Sequence, residues 1–115
     1  MEIKIGDKVL TLNTKLIVTK NIKIRMKKSF NTILQNIANM DIEDYINLLY
    51  CGIDSKEMSF DEFETLVYEN IGIMELYEIV TNFIKQLQYP GLSIEEIDKK
   101  LEEKNLQAQK LNHQI

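Results

Sequence analysis

The side chains from which most protein chemistry is built are few here, and badly spaced for it. There is one cysteine, Cys51, and one histidine, His113. A nucleophilic serine or cysteine needs a base beside it, and a histidine in a polar C-terminal segment is a poor one. Zinc sites built on His and Cys take about four ligands, more than this pair supplies. Gly6, Gly52, Gly72 and Gly91 stand alone, so no glycine-rich phosphate loop exists. The stretch Met58–Phe63 looks like the end of a calcium-binding EF-hand, with Glu62 as its bidentate ligand. Counting back, Cys51 and Ile53 fall where oxygen ligands are needed and Lys56 where glycine is needed, so no calcium cage forms. Carboxylates are plentiful, but they decorate helices and their spacing singles out no catalytic pair. Cys51 follows an apolar stripe with no local positive charge to stabilise a thiolate, and reads as a small buried hydrophobe. The expectation is no catalytic residue, no cofactor, no metal, and a chain that is not an enzyme.

What remains is a protein of surfaces. At 115 residues the chain is long enough for one core and too short for two. Hydrophobic residues make up 44% and charged residues 28% of the chain. Both values are those of ordinary globular proteins. No apolar run approaches the roughly 18–20 residues of a membrane span, and no signal-peptide core follows Met1. A single cysteine forms no internal disulfide, so the expected setting is the cytoplasm, with no membrane partner.

The net charge of −4 hides a division. Residues 1–40 hold eight basic and two acidic residues, a balance of +6. Residues 41–115 hold six basic and sixteen acidic residues, a balance of −10. Lys15, Lys20, Lys23, Arg25, Lys27 and Lys28 form the densest basic patch, with no acid among them. One reading is a nucleic-acid footprint. Against it stand the absence of interleaved aromatics and the larger acidic remainder. A second reading is a solvated face that complements acidic helices, its own or a neighbour's. Head-to-tail self-association is a third.

These patches need elements to position them. Met1, Ile3 and Ile5 alternate with polar residues, as do Leu10 and Leu12, and Gly6-Asp7 between them fits a two-residue type II′ hairpin loop. A lone hairpin is marginal, so its apolar face must pack on helices. In residues 14–28 the local alternation of Leu16, Val18, Ile22, Ile24 and Met26 favours a strand. The spacing of Val18, Ile22, Met26 and Phe30 fits a helix capped by Thr14. Ile33, Leu34 and Ile37 predict a short helix ending near Asn39. Asp41 caps a helix bearing Ile42, Tyr45, Ile46 and Leu49, which stops at Gly52 as a left-handed C′ residue. Ser59 and Glu62 form a capping box ahead of Phe63, Leu66 and Val67. Ile73, Leu76, Tyr77, Val80, Phe83, Ile84 and Leu87 form the strongest stripe, a spine for the core that Pro90-Gly91 breaks after Tyr89. The tyrosines read as core-edge residues with wet hydroxyls.

Ser93 and Glu96 open a last, charged helix. Ile94, Ile97, Leu101, Ala108, Leu111 and Ile115 follow 3/4 spacing, interrupted at Lys104. The stripe is narrow, closer to a seam than to a core face. Two readings stand open: docking on the chain's own core with fraying past about residue 105, or contact with another chain. Ile94, Ile97, Leu101 and Leu111 are the candidate partner-binding residues. The expected division is a hairpin-plus-helices core over 1–91 and a C-terminal amphipathic helix over 92–115, in one domain.

The order of elements is itself informative. A hairpin over Met1–Leu12 and a basic segment precede Phe30-Asn31-Thr32-Ile33-Leu34. Then come Asp41-Ile42-Glu43-Asp44-Tyr45-Ile46-Asn47-Leu48-Leu49-Tyr50-Cys51-Gly52, Ser59-Phe60-Asp61-Glu62-Phe63-Glu64, and the long helix to Leu87. Over residues 1–90 this resembles the small tail assembly chaperones of long-tailed bacteriophages of low-GC Gram-positive hosts. The resemblance implies a non-enzymatic protein that binds the long helical tape measure protein, keeps it soluble and helps recruit the tail tube protein. It also implies action in the host cytoplasm and absence from the mature virion. Because relatives place a helix after the hairpin, residues 14–28 are assigned as helix over the local strand signal. The expected fold is mainly α within an α+β class: a hairpin on about five short helices, plus a charged C-terminal helix. A generic helical adaptor is the alternative, and a nucleic-acid binder using residues 15–28 is the least supported.

Overall fold

The structure, a computed structural model, describes the backbone of residues 1–113 and side chains through Leu106. Strands β1 (Glu2–Ile5) and β2 (Lys8–Thr11) pair antiparallel with Ile5 opposite Lys8, leaving Gly6-Asp7 as a two-residue loop. Gly6 has φ +60° while Asp7 stays at negative φ. This is the combination a type II′ turn requires. Ile3, Ile5 and Leu12 are buried, Leu10 is half-buried against the core and the other residues between them face water, so the alternation sets the hairpin's inner face.

Helix α1 (Ile17–Met26) follows. The helical spacing, not the strand alternation, describes which residues pack: Val18 and Ile22 are buried and Met26 is half-buried. Thr14 does not cap it; Leu16 occupies the N-cap without a side-chain bond. Lys27 ends the helix in a left-handed conformation at φ 60°. Helix α2 (Phe30–Asn36), capped by Ser29 Oγ accepting from Thr32 N–H, runs into a 3₁₀ turn at Ile37–Asn39. Helix α3 (Ile42–Tyr50) starts at Asp41, whose side chain makes no capping bond. Helix α4 (Phe60–Asn70) carries the expected cap, with Ser59 Oγ accepting from Glu62 N–H at 3.2 Å. Helix α5 (Ile73–Gln88) stops at Tyr89, before Pro90. Helix α6 (Ile94–His113) opens on Ser93, whose Oγ accepts from Glu96 N–H at 3.1 Å.

The centre of the molecule is α3. Five of its nine residues, Tyr45, Ile46, Leu48, Leu49 and Tyr50, are buried, because α1, α4 and α5 all pack on it. Its two tyrosines bury their rings and keep their hydroxyls bonded, as buried phenols usually do. Tyr45 donates to Ile37 O, and Tyr50 donates to Met58 O at 2.8 Å. The helix does not end in a left-handed glycine. Gly52 is required for space instead: a Cβ there would meet the Phe83 ring at 2.9 Å and Asn13 O at 3.1 Å. Thus α3, α5 and the exit of the hairpin converge on one residue without a side chain. The hairpin tip is anchored separately, with Gly6 lying against Asn70 at the end of α4. The fold is mainly helical with an N-terminal hairpin.

Candidate interaction surfaces

The basic patch divides once folded. Arg25 reaches across to α3, its Nε donating to Asn47 Oδ1 at 2.8 Å. Its guanidinium lies 4.2 Å from the Phe60 ring centroid and 4.8 Å from that of Tyr50. It therefore clamps α1 to α3 and α4 by cation–π contact, and is spent on the fold. Lys20 and Lys23 project from α1 exposed, and Lys15, Lys27 and Lys28 flank the helix. Among the described residues none of these lysines has an ion-pair partner; the pair present is Lys85 Nζ–Asp98 Oδ1 at 2.7 Å. Leu16 (80% exposed), Ile17 and Ile24 (63% exposed) lie between the lysines. This outer stripe is as apolar as it is basic.

A second face lies across α3. Ile42, Tyr68 and Ile73 rim a small cleft floored by Val67 and Leu76. Met74 (75% exposed) and Tyr77 continue the apolar surface along the first turns of α5. The sequence stripes assign Ile42, Ile73 and Tyr77 to the core, but α3 and α5 bury narrower arcs than those stripes span. Glu43 and Glu64 lie near Tyr68, and Glu75 and Glu78 border Met74 and Tyr77 together with Lys85. Loss of hydration, then the Glu43 and Glu64 carboxylates, hold the Tyr68 phenol above its ordinary value.

Among the described residues, helix α6 joins the core over its opening turns. Ile97 is wholly buried and Ile94 and Leu101 are half-buried, while every side chain from Glu102 to Leu106 is exposed. Gln86 Nε2 donates to Leu92 O at 2.7 Å, and the Lys85–Asp98 pair completes the attachment to α5. Of the seam residues, then, Ile97 faces its own chain. The side chains of Ala108, Leu111, His113 and Ile115 lie outside the described residues. Leu106 falls on the side of α6 away from the seam.

Cys51 is buried beside the C-terminus of α3. A positive charge is near it after all, contrary to the sequence expectation. Burial pushes the thiol up from 9.0 to about 11, and Arg25 offsets only part of that rise. Burial also pushes the Tyr45 phenol from 10.0 to about 12, helped by the adjacent Tyr77. In both cases folding favours the protonated form. The stabilisation is complete below the unfolded value and is lost as pH rises through 9 to 11 for Cys51 and 10 to 12 for Tyr45. The urea midpoint is therefore expected to fall on going from pH 9 to pH 12, with Cys51→Ala flattening the first part of the decline. Cys51 should also resist a thiol reagent at pH 8 until the chain is unfolded; rapid labelling of the folded protein would refute that placement.

No family model, curated protein or solved structure matches the chain. Among the described residues, no helix is long and apolar enough to cross a membrane.

Proposed function

We propose that this chain is a bacteriophage tail assembly chaperone, a non-catalytic protein of the host cytoplasm that binds the tape measure protein. In this role it keeps that client soluble and promotes assembly of the tail tube protein around it, without joining the finished virion. Two things support the reading. The first is the family likeness in element order over residues 1–90. The second, which carries it, is the attachment of α6: a 20-residue helix docked through Ile94–Leu101 and exposed from Glu102 to Leu106. A helix anchored at one end and exposed just beyond it can offer those exposed turns to another helix, as an amphipathic segment or a coiled-coil partner. A long helical client exposes apolar stripes that aggregate in water. Many weak contacts along it gain from multivalency, and the acidic surface of the bound copies keeps the complex dispersed.

The test is co-expression with the long helical protein encoded just downstream. The full chain is expected to raise that protein's soluble yield at least several-fold and to co-purify with it. A chain ending after Glu103 keeps the docked turns of α6 and should fold, yet lose co-purification. Unchanged soluble yield with the full chain would defeat the chaperone reading. Retained capture by the shortened chain would move the client off α6.

A further inference from the structure

The hairpin is a sheet of two strands, so each strand has an outer edge. Register decides which backbone groups reach those edges. In an antiparallel pair, residues that bond each other alternate with residues whose N–H and C=O point outward. Ile5 and Lys8 close the two-residue loop and are a bonded pair. Leu12 N–H donates to Met1 O at 2.7 Å, which continues the same phase at the far end. Glu2–Thr11 and Lys4–Val9 are therefore the outward-pointing pairs. On β2 the free groups are those of Val9 and Thr11, and among the described residues no bond outside the hairpin reaches them. The side chains of the two edges differ. On β1 they are Glu2 and Lys4, charges that discourage a further strand, and α4 packs against β1. On β2 they are Val9, 63% exposed, and exposed Thr11, both uncharged strand formers.

Each end of the β2 edge borders an acidic hollow. At the hairpin tip, Lys8 lines one with Asp61, Glu62, Leu66 and Glu69 of α4. At the exit, Thr11, Asn13 and Lys15 line another with Asp54 and Glu57. Asp54, Glu57, Asp61, Glu62 and Glu69 thus outnumber Lys8 and Lys15. We propose that the outer edge of β2 accepts an extended segment of a partner protein as a third strand, apolar at its centre and basic at both ends. Main-chain bonds to Val9 and Thr11 supply affinity, and side chains supply selectivity. The apolar centre covers Val9, while the basic ends meet the carboxylates of the two hollows. A four-residue strand is only about 14 Å long, so the segment is short and the contact weak. A helix spends its N–H and C=O groups internally and cannot make these bonds. The occupant is therefore distinct from the helical client, and the inference is independent of α6.

Nuclear magnetic resonance of the ¹⁵N-labelled full chain, titrated with the peptide acetyl-Lys-Lys-Val-Thr-Val-Lys-Lys-amide, tests it. The Val9 and Thr11 amides are expected to shift saturably, and their hydrogen exchange to slow at least about tenfold. The same peptide N-methylated at its three central residues keeps its charge and loses its donors, and should bind at least about tenfold more weakly. Val9→Pro removes an edge donor without touching the ladder, and should weaken binding of the unmodified peptide by a similar factor while the chain stays folded. Where circular dichroism shows that Val9→Pro is unfolded, Thr11→Pro takes its place. Glu57→Lys/Glu69→Lys reverses one exposed charge at each end and should also weaken binding at least about tenfold. No change at Val9 or Thr11 at about 1 mM peptide would overturn the proposal. So would equal binding of the methylated peptide, which would reduce the contact to charge, or equal binding by the folded proline variant. Equal binding by the charge-reversed chain would overturn the basic-ended occupant. Protection of Val9 and Thr11 that grows with protein concentration in the absence of peptide would give the edge to a second copy instead.

Discussion

Gly52→Ala is expected to destabilise the fold by about 1–3 kcal/mol, and Gly52→Val by more, because neither neighbour of the new Cβ can yield. One neighbour is the Phe83 ring, wholly buried on α5; the other is the Asn13 carbonyl. Asn13 is itself held to the same residue, its N–H donating to Gly52 O at 2.8 Å. Moving that carbonyl away breaks the bond between the hairpin exit and the end of α3. Rotating the ring displaces α5 from the centre of the core. Domains of this size are stable by only about 5–15 kcal/mol, so the loss is a large fraction of the total. Phe83→Leu alone should also cost stability through the cavity it leaves. Combined with Gly52→Ala, however, it removes the clash, so the double variant should be less destabilised than the two singles added together. Urea unfolding of the four proteins measures the coupling. An unchanged midpoint for Gly52→Ala, or strict additivity with Phe83→Leu, would show that the close approach is not a constraint.

That contact also shows where reading along the chain stops. A glycine after an apolar helical stripe signals a left-handed helix end, and nothing local distinguishes it from a glycine required by a ring on a distant helix. The capping boxes at Ser59 and Ser93, the Gly6-Asp7 turn and the stop at Tyr89 are legible because their causes are local. The hairpin's inner face is legible because alternation and burial coincide there. In α1 they do not. Leu16 and Ile24 complete a strand-like alternation yet face water, and only Val18, Ile22 and Met26 pack. Local pattern cannot separate an apolar residue that is buried from one left outside, and here the residues that pack are those at helical spacing. Arg25 reads with its neighbouring lysines because its charge is visible and its partners Tyr50 and Phe60 are distant in sequence. Ile42, Ile73 and Tyr77 read as core because the stripe is wider than the surface available to cover it. The lysine division and the acidic apolar face thus emerge only from the packing of α1, α4 and α5 around α3.

Ile97→Ser is expected to release α6 while leaving the rest of the molecule folded. Removing most of a buried isoleucine costs about 2–5 kcal/mol, and the hydroxyl recovers none of it in an apolar site. Ile97 is wholly buried, so the full loss applies. That loss falls on one attachment. Helix α6 packs chiefly on α5, where the half-buried Ile94 and Leu101 flank Ile97, and its polar ties are the Lys85–Asp98 pair, the Gln86–Leu92 bond and the two lysines Lys100 and Lys104 about Tyr89. The Asp98 side chain of the pair is 49% exposed. Such a pair contributes at most about 1 kcal/mol and cannot hold the helix unaided. On the inner side of α5, Leu76, Val80 and Phe83 still join α3, so the core keeps its own packing. Local release without global unfolding follows. Amide protection in the docked turns of α6 should fall at least about tenfold. Protease cleavage should appear between Tyr89 and Ser93, with the urea midpoint of the remaining core little changed. Co-purification of the client then separates two uses of α6. If capture survives, the far half of the helix binds independently of its anchor; if capture is lost, the docked position is what presents it. Loss of protection throughout the chain on Ile97→Ser would instead make α6 part of the central core, and the view of it as a helix attached chiefly to α5 would have to be abandoned.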